Sequence, residues 1–258
     1  MPQFSIDDAK HLIGPVFLIL SVLFAAIGAT PGGFANLNPN QEGGSSLGRT
    51  WVSSITGAPA PNKVPVTVEQ GERISMAYPG THNLSHYTLG FIDHDKRLGY
   101  TSAHCVPGAD EHTYTPGGVE VVNANNTAIG KAYPSQRYVE GGQHTVDDIA
   151  IIRFSDNATP GNNTYSGDDV VKLQPNNDVT MCRYGATTRK VMCTNTANPA
   201  LSNGVVAVIA DNETHGDSGS TLYIKGLGIV GLYAGTTNRQ GQRVSLGPTL
   251  HNYDAAFL

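Results

Sequence analysis

Charge is scarce in this chain. Only 14% of its 258 residues are charged, the net charge is −5, and no Lys/Arg cluster breaks the pattern. A coiled coil or long-helix protein, built on Ala, Glu, Lys, Leu and Arg, is excluded by that composition. The basic footprint of a nucleic-acid binder is missing too, so no nucleic-acid partner is expected. Cysteine is equally sparse. Three cysteines, none in a C-x-x-C pair, are too few for a disulfide-built miniature scaffold. His104 and Cys105 are adjacent rather than at ligand spacing, so neither a metal site nor any other cofactor is expected. No repeat of solenoid or propeller period occurs. What is abundant is turn chemistry, with 30 glycines and 15 prolines, beside an apolar content of 39% that is enough to fill a core.

One long apolar run is present. Leu12 to Ala29 (LIGPVFLILSVLFAAIGA) is uncharged, and small residues close it. It is near the lower length limit of a membrane-spanning helix and fits an export signal. Residues 1–29 are therefore read as a signal peptide cut near Ala29 or as a retained signal anchor that tethers the rest outside the membrane. A buried core helix fits less well, because a Gly/Pro/Asn/Ser-rich stretch follows. Residues 30–65, with PGG, NPN, GGSS and APAPNKVP, read as a flexible linker or short pro-segment. From Val66 on, short β-branched runs (YTLGFI, VEVV, IAIIRF, VVAVIA, TLYIKG, GIVGLYAG) alternate with Gly, Asn, Asp and Pro clusters. That spacing predicts an all-β sandwich or barrel, with a short C-terminal helix over TLHNYDAAF.

Three strings carry chemistry: TSAHC with His104, DDIAIIRF with Asp148, and HGDSGS with Ser218. Taken singly, each has a plain structural reading: a packed histidine, a turn aspartate before a strand, a serine in a glycine loop. Together they form a chemical set. A serine hydroxyl is a poor nucleophile at neutral pH and needs a base whose pKa suits the task, which histidine supplies. The imidazole needs a buried carboxylate to fix its tautomer. Glycines beside the serine allow two amides, those of Gly216 and Ser218, to face a developing oxyanion.

The order His104, Asp148, Ser218 in these strings resembles the chymotrypsin-like (trypsin-fold) serine endopeptidases, over roughly Arg73 to the C-terminus. The resemblance implies two six-stranded antiparallel β-barrels, the first over about residues 74–165 and the second over about 175–250, with the active site in the cleft between them. Residues 66–258 would form this protease domain. It implies His104 as general base, Asp148 rather than Asp147 as its orienting partner, and Ser218 as nucleophile. The segment MCRYGATTRKVMC is similar to one that the bacterial secreted branch, of α-lytic protease and streptogrisin type, closes with a disulfide; Cys182 and Cys193 would be that pair. Arg183 matches an arginine that in this branch pairs with the aspartate before the nucleophile, here Asp217. A competing activation route is cleavage after Arg73 to free Ile74.

There are departures. Cys105 has no partner, because the matching position in YTLGF is Tyr87. A serine that supports the catalytic aspartate in the family is matched to Gly231, and Ser220 stands where many members have glycine. By the same likeness Asn212 lies at the base of the primary pocket, GLYAG (Gly231, Leu232 and Tyr233 among them) lines its walls, and His215 sits at its rim. A neutral Asn212 points to medium-sized apolar or mixed side chains. Sequons begin at Asn83, Asn125, Asn157, Asn162 and Asn212, a pattern that chance explains equally well in an Asn/Thr-rich chain. The functional expectation is an exported, monomeric serine endopeptidase acting on proteins or peptides. The alternative is an impaired relative that binds extracellular proteins.

Overall fold

β-Branched runs bounded by turn residues become strands because their side chains pack on a pleated, half-buried surface. In the computed structural model this yields, among the described residues, sixteen strands and only single-turn helices. The structure describes residues 63–78, 84–110, 113–142, 146–174, 178–197, 199, 205–209, 214–239 and 241–252. The segment 12–29, most of 30–65, Asn83 and Asn212 lie outside the described residues.

The first barrel is one antiparallel sheet. Its strands are β2 (Arg73–Ala77), β3 (Leu84–Thr88), β4 (Phe91–Asp93), β5 (Leu98–Thr101), β6 (Val119–Asn123), β7 (Ala128–Pro134) and β8 (Ala150–Phe154). They pair in the order β3-β2-β6-β7-β8-β5-β4. The two edge strands are consecutive in sequence, separated only by Leu89 and Gly90. YTLGFI is thus one chain run bent at Gly90, its first half pairing with β2 and its second with β5. That bend lets seven strand segments curl into a six-stranded barrel, with one chain run bridging the two ends of the sheet. The β6–β7 hairpin shows how locally the sequence acts. Asn123 Oδ1 accepts from the amides of Asn125 and Thr127, and Asn126 takes a left-handed φ of 57° that asparagine tolerates.

The second barrel repeats the device. Its strands are β10 (Val179–Tyr184), β11 (Val191–Thr196), β12 (Val205–Ile209), β13 (Thr221–Ile224), β14 (Gly228–Leu232), β15 (Gly235–Arg239) and β16 (Gln242–Pro248). Sheets β11-β10-β13-β14 and β12-β16-β15 are joined where β14 runs on through Tyr233 and Ala234 into β15. The Gly231–Thr249 bridge adds a second link, and Ala207 N donates to Pro199 O (2.8 Å) where the chain leaving β11 meets β12. A short parallel pair, β1 (Val66–Val68) with β9 (Ala158–Pro160), ties the start of the described chain to the first barrel.

The run IAII shows why both faces of one strand are apolar. Ala150 and Ile152 fill the first barrel, while Ile149 faces away into a seam with Phe91, Ile229, Leu232 and Leu250. This seam draws residues from both barrels. Burying each such side chain favours the joined state by about 1.5–3 kcal/mol. Leu250 comes from a 3-10 turn, Leu250–Asn252, where the sequence predicted a short helix; the residues after Asn252 lie outside the described set. The fold is the double β-barrel expected from the sequence.

Candidate active site

His104 sits on a one-turn 3-10 helix, Ala103–Cys105, entered directly from β5. Asp148 precedes β8 in a tight turn in which Ile149 N donates to Asp147 O (2.7 Å). These two residues meet twice. His104 N donates to Asp148 Oδ1 (2.8 Å), and His104 Nδ1 lies 2.7 Å from Asp148 Oδ2. A carboxylate accepts only, so the ring proton belongs on Nδ1 and Nε2 is left as the acceptor. Burial works against a charged imidazole, but the charge and hydrogen bond of Asp148 outweigh it and hold His104 well above the usual histidine value. The neighbouring carboxylate cannot do this work, because Asp147 Oδ2 lies against Gly142, where an added Cβ would come within 2.6 Å.

The Asp148 turn is itself clamped. Ser135, fully buried, donates from N to Ile149 O (2.9 Å) and from Oγ to Asp147 O (2.7 Å), so it grips the residues on both sides of Asp148. The same Oγ accepts from Tyr138 N at the start of the single-turn helix Gln136–Val139. Tyr138 OH donates to Asp110. Sequence reading missed Ser135. Its only signal is an N-cap serine before a helix too short to show periodicity.

Ser218 lies in the turn before β13. Gly216 (φ 90°) and Gly219 (φ 83°) occupy the left-handed region on either side of it. An added Cβ at Gly216 would sit 2.2 Å from Thr187 Oγ1, and one at Gly219 2.0 Å from Thr101 Oγ1. Both positions therefore need glycine for conformation and for space. The amides of Asp217, Gly219 and Ser220 donate to Thr214 O, Tyr233 O and Asp217 O. Among the described residues, the amides of Gly216 and Ser218 donate to nothing.

The two barrels touch at this turn. Ser102 Oγ, two residues before His104, donates to Tyr233 O (3.0 Å), the same carbonyl that takes Gly219 N (2.9 Å). His215 lies beside Gly216; partial desolvation of its ring against the turn and the nearby charge of His104 hold its imidazole below the ordinary value. Ser218 is half-buried, and among the described residues no hydrogen bond joins its hydroxyl to His104. His104 Nε2 instead lies 3.8 Å from Cys105 Sγ.

Arg183 and Asp217 form a buried ion pair, Nη1 to Oδ2 2.9 Å, with side-chain exposures of 5% and 0%. The amides of Thr187 and Thr188 donate to Asp217 Oδ1 (3.0 Å each), and the Arg183 guanidinium lies 5.2 Å from the centre of the Tyr233 ring. Cys182 and Cys193 are disulfide-bonded across β10 and β11. Cys105 is free and fully buried, and burial pushes its thiol up. The Tyr87 ring stands edge-on to His104 at 6.5 Å. Ile74 lies buried in mid-β2, paired on both sides, so cutting after Arg73 would open the first barrel rather than free a mobile end.

The GLYAG run expected to line the pocket divides into an enclosed part and a more open part. Leu232 is fully enclosed in the seam, Gly231 faces Pro248 O, and Tyr233 packs in the second core under Arg183. None of these side chains opens to the cleft. The register of β14 buries them, and β13 and β14 shift register between Leu222 and Tyr223. The segment that follows, Ala234 to Thr236, is half-buried and runs beside the Tyr233 carbonyl that anchors Ser102. The group that faces the His104 segment here is the Tyr233 carbonyl, which takes Ser102 Oγ.

No family model matches the chain, and no curated protein matches it. Among solved structures the chain is similar to bacterial chymotrypsin-like serine proteases. A Nocardiopsis protease is 18% identical, with a TM-score of 0.46, covering 71% of this chain and 93% of the other. A chymotrypsin from Cellulomonas bogoriensis is 18% identical, with a TM-score of 0.45, covering 72% and 93%. A Glu endopeptidase is 18% identical, with a TM-score of 0.48, covering 72% and 86%.

Proposed function

We propose that this chain is a serine endopeptidase acting on proteins or peptides. The observation that carries the reading is the two-point hold of Asp148 on His104, set in the barrel wall that meets the Ser218 turn. His104 Nε2 takes the proton of Ser218 Oγ as that oxygen attacks the peptide carbonyl. The carbonyl oxygen becomes an oxyanion between the amides of Gly216 and Ser218, which have no competing acceptor among the described residues. His104 then returns the proton to the departing amine, leaving an acyl-Ser218 ester. Water, deprotonated by His104, hydrolyses that ester and restores the hydroxyl. The Arg183–Asp217 pair holds the oxyanion turn, and Ala234 to Thr236 supply the wall along which a substrate lies. His215 sits at the rim. The disulfide suits an oxidising, extracellular location reached through the segment 12–29.

The unmade bond between Ser218 and His104 favours one competing reading, a protein-binding relative without turnover. Catalytic hydrogen bonds often tighten only with substrate bound, so both readings meet the same test. The protein is treated with a fluorophosphonate probe and the adduct is mapped. Labelling at Ser218, lost in His104→Ala, is the expected result. A folded protein whose Ser218 stays unlabelled leaves the binding module.

A further inference from the structure

An oxyanion site needs amides that stay aimed when nothing is bound, and glycine at Gly216 gives the backbone freedom to turn away. Something must oppose that freedom. Thr88, the last residue of β3 and fully buried, touches the turn at two peptide groups. Its Oγ1 donates to Gly216 O (2.8 Å) while accepting from Ala186 N (2.9 Å). Its own N–H donates to Ser218 O (2.9 Å), and its carbonyl accepts from Thr101 Oγ1 (2.9 Å).

These bonds bracket one peptide group. The Gly216–Asp217 peptide is held by Thr88 Oγ1 on its carbonyl and by Thr214 O on its N–H. The Ser218–Gly219 peptide is held by Thr88 N on its carbonyl and by Tyr233 O on its N–H. Between them lies the Asp217–Ser218 peptide, whose carbonyl takes Ser220 N and whose N–H is one of the two unpaired donors. Three successive planes are fixed, and two of them are fixed by one residue of the opposite barrel.

We propose that Thr88 is a positioning residue that, from across the cleft, holds the peptide groups on both sides of the Ser218 amide and so keeps that amide, next to the anchored Gly216 carbonyl, in its working orientation. The inference rests on the peptidase reading for its consequence but not for its geometry. Removing the hydroxyl leaves Gly216 O and Ala186 N buried without that partner, and the glycine peptide regains a reason to rotate toward another one.

The test uses Thr88→Val, which keeps the shape and removes the hydroxyl, with Thr88→Ala as a second deletion and Thr88→Ser as the conservative variant. The first readout is the second-order rate of Ser218 phosphonylation by a fluorophosphonate. Both deletions should slow it by about tenfold to a hundredfold, less than the roughly hundredfold to thousandfold cost of losing an oxyanion donor outright, while Thr88→Ser stays within about twofold of wild type. The second readout needs no activity: the amide signals of Gly216 and Ser218 in the ¹H–¹⁵N spectrum should move in the deletions and stay in Thr88→Ser. Folded deletions with wild-type rate and unmoved amides overturn the proposal. So does failure of both deletions to fold, which would make Thr88 a stability residue. If wild type itself does not label, the peptidase reading fails alone, and the amide signals still decide whether Thr88 holds the turn.

Discussion

Burial of His104 opposes its charge while Asp148 favours it, and the balance sets two opposite pH responses in one residue. Because Asp148 wins, the folded pKa lies above the unfolded one. Turnover needs neutral Nε2, so activity should fall as pH drops through that raised value, with a midpoint above the ordinary 6.5. Stability runs the other way. A group with a raised folded pKa stabilises fully below its unfolded pKa and loses that contribution as pH rises through the folded one. The stability advantage of wild type over His104→Ala should therefore be greatest below pH 6.5 and shrink in the alkaline range. Denaturant melts of both proteins across pH, beside labelling rates, check this; an advantage that grows with pH would contradict the pairing. The residues of this network were legible to different degrees. TSAHC, DDIAII and GDSGS stand out because the proposed reaction demands those side chains. Ser135 and Thr88 do not, because a hydroxyl that grips distant backbone has no local spacing to betray it.

At the scale of elements, β10 carries two constraints side by side. Cys182 is bonded to Cys193, and the next residue, Arg183, reaches Asp217. Arg183→Met keeps the bulk but strands a buried carboxylate. It should cost about 3–5 kcal/mol, moderated by the amides of Thr187 and Thr188 that remain on Asp217, and should slow labelling of Ser218. Near-wild-type stability and rate would show that the pair does nothing for the turn. Reduction of the disulfide should cost about 3 kcal/mol in the loop-entropy picture. A melt with and without reductant reads it, and in the native protein Cys105, fully buried, should resist alkylation until the chain is unfolded. Strand existence was plain from the alternating runs, but strand continuity was not. YTLGFI reads as one strand and is two, because closing a barrel needs a bend, and Gly90 bends where a Cβ would come within 2.1 Å of Gly219 O. A second strand boundary was illegible for a related reason. GIVGLYAG holds a strand and the start of the next, and only pairing fixes where the first ends.

The whole molecule divides the proposed machinery between two barrels: His104 and Asp148 on the first, Ser218 and its amides on the second. The seam of Phe91, Ile149, Ile229, Leu232 and Leu250 joins the two halves beside the hydrogen bonds in the cleft, and on this reading it sets their alignment. Leu250 is the informative member, because it belongs to neither sheet and closes the seam from the terminal turn. Leu250→Ala leaves both barrel interiors intact and removes apolar contact only where the barrels meet. It should cost about 2–4 kcal/mol, the range for a large-to-alanine change in a core. A shifted seam misplaces the base relative to the nucleophile, and small misplacements cost large factors in rate. Leu250→Ala should therefore slow Ser218 labelling at temperatures well below its melting point. A core change of similar cost inside one barrel, such as Ile129→Val combined with Val121→Ala, should leave that rate nearly unchanged. Equal rate losses for equal stability losses would mean that the seam holds the molecule together without aligning its halves.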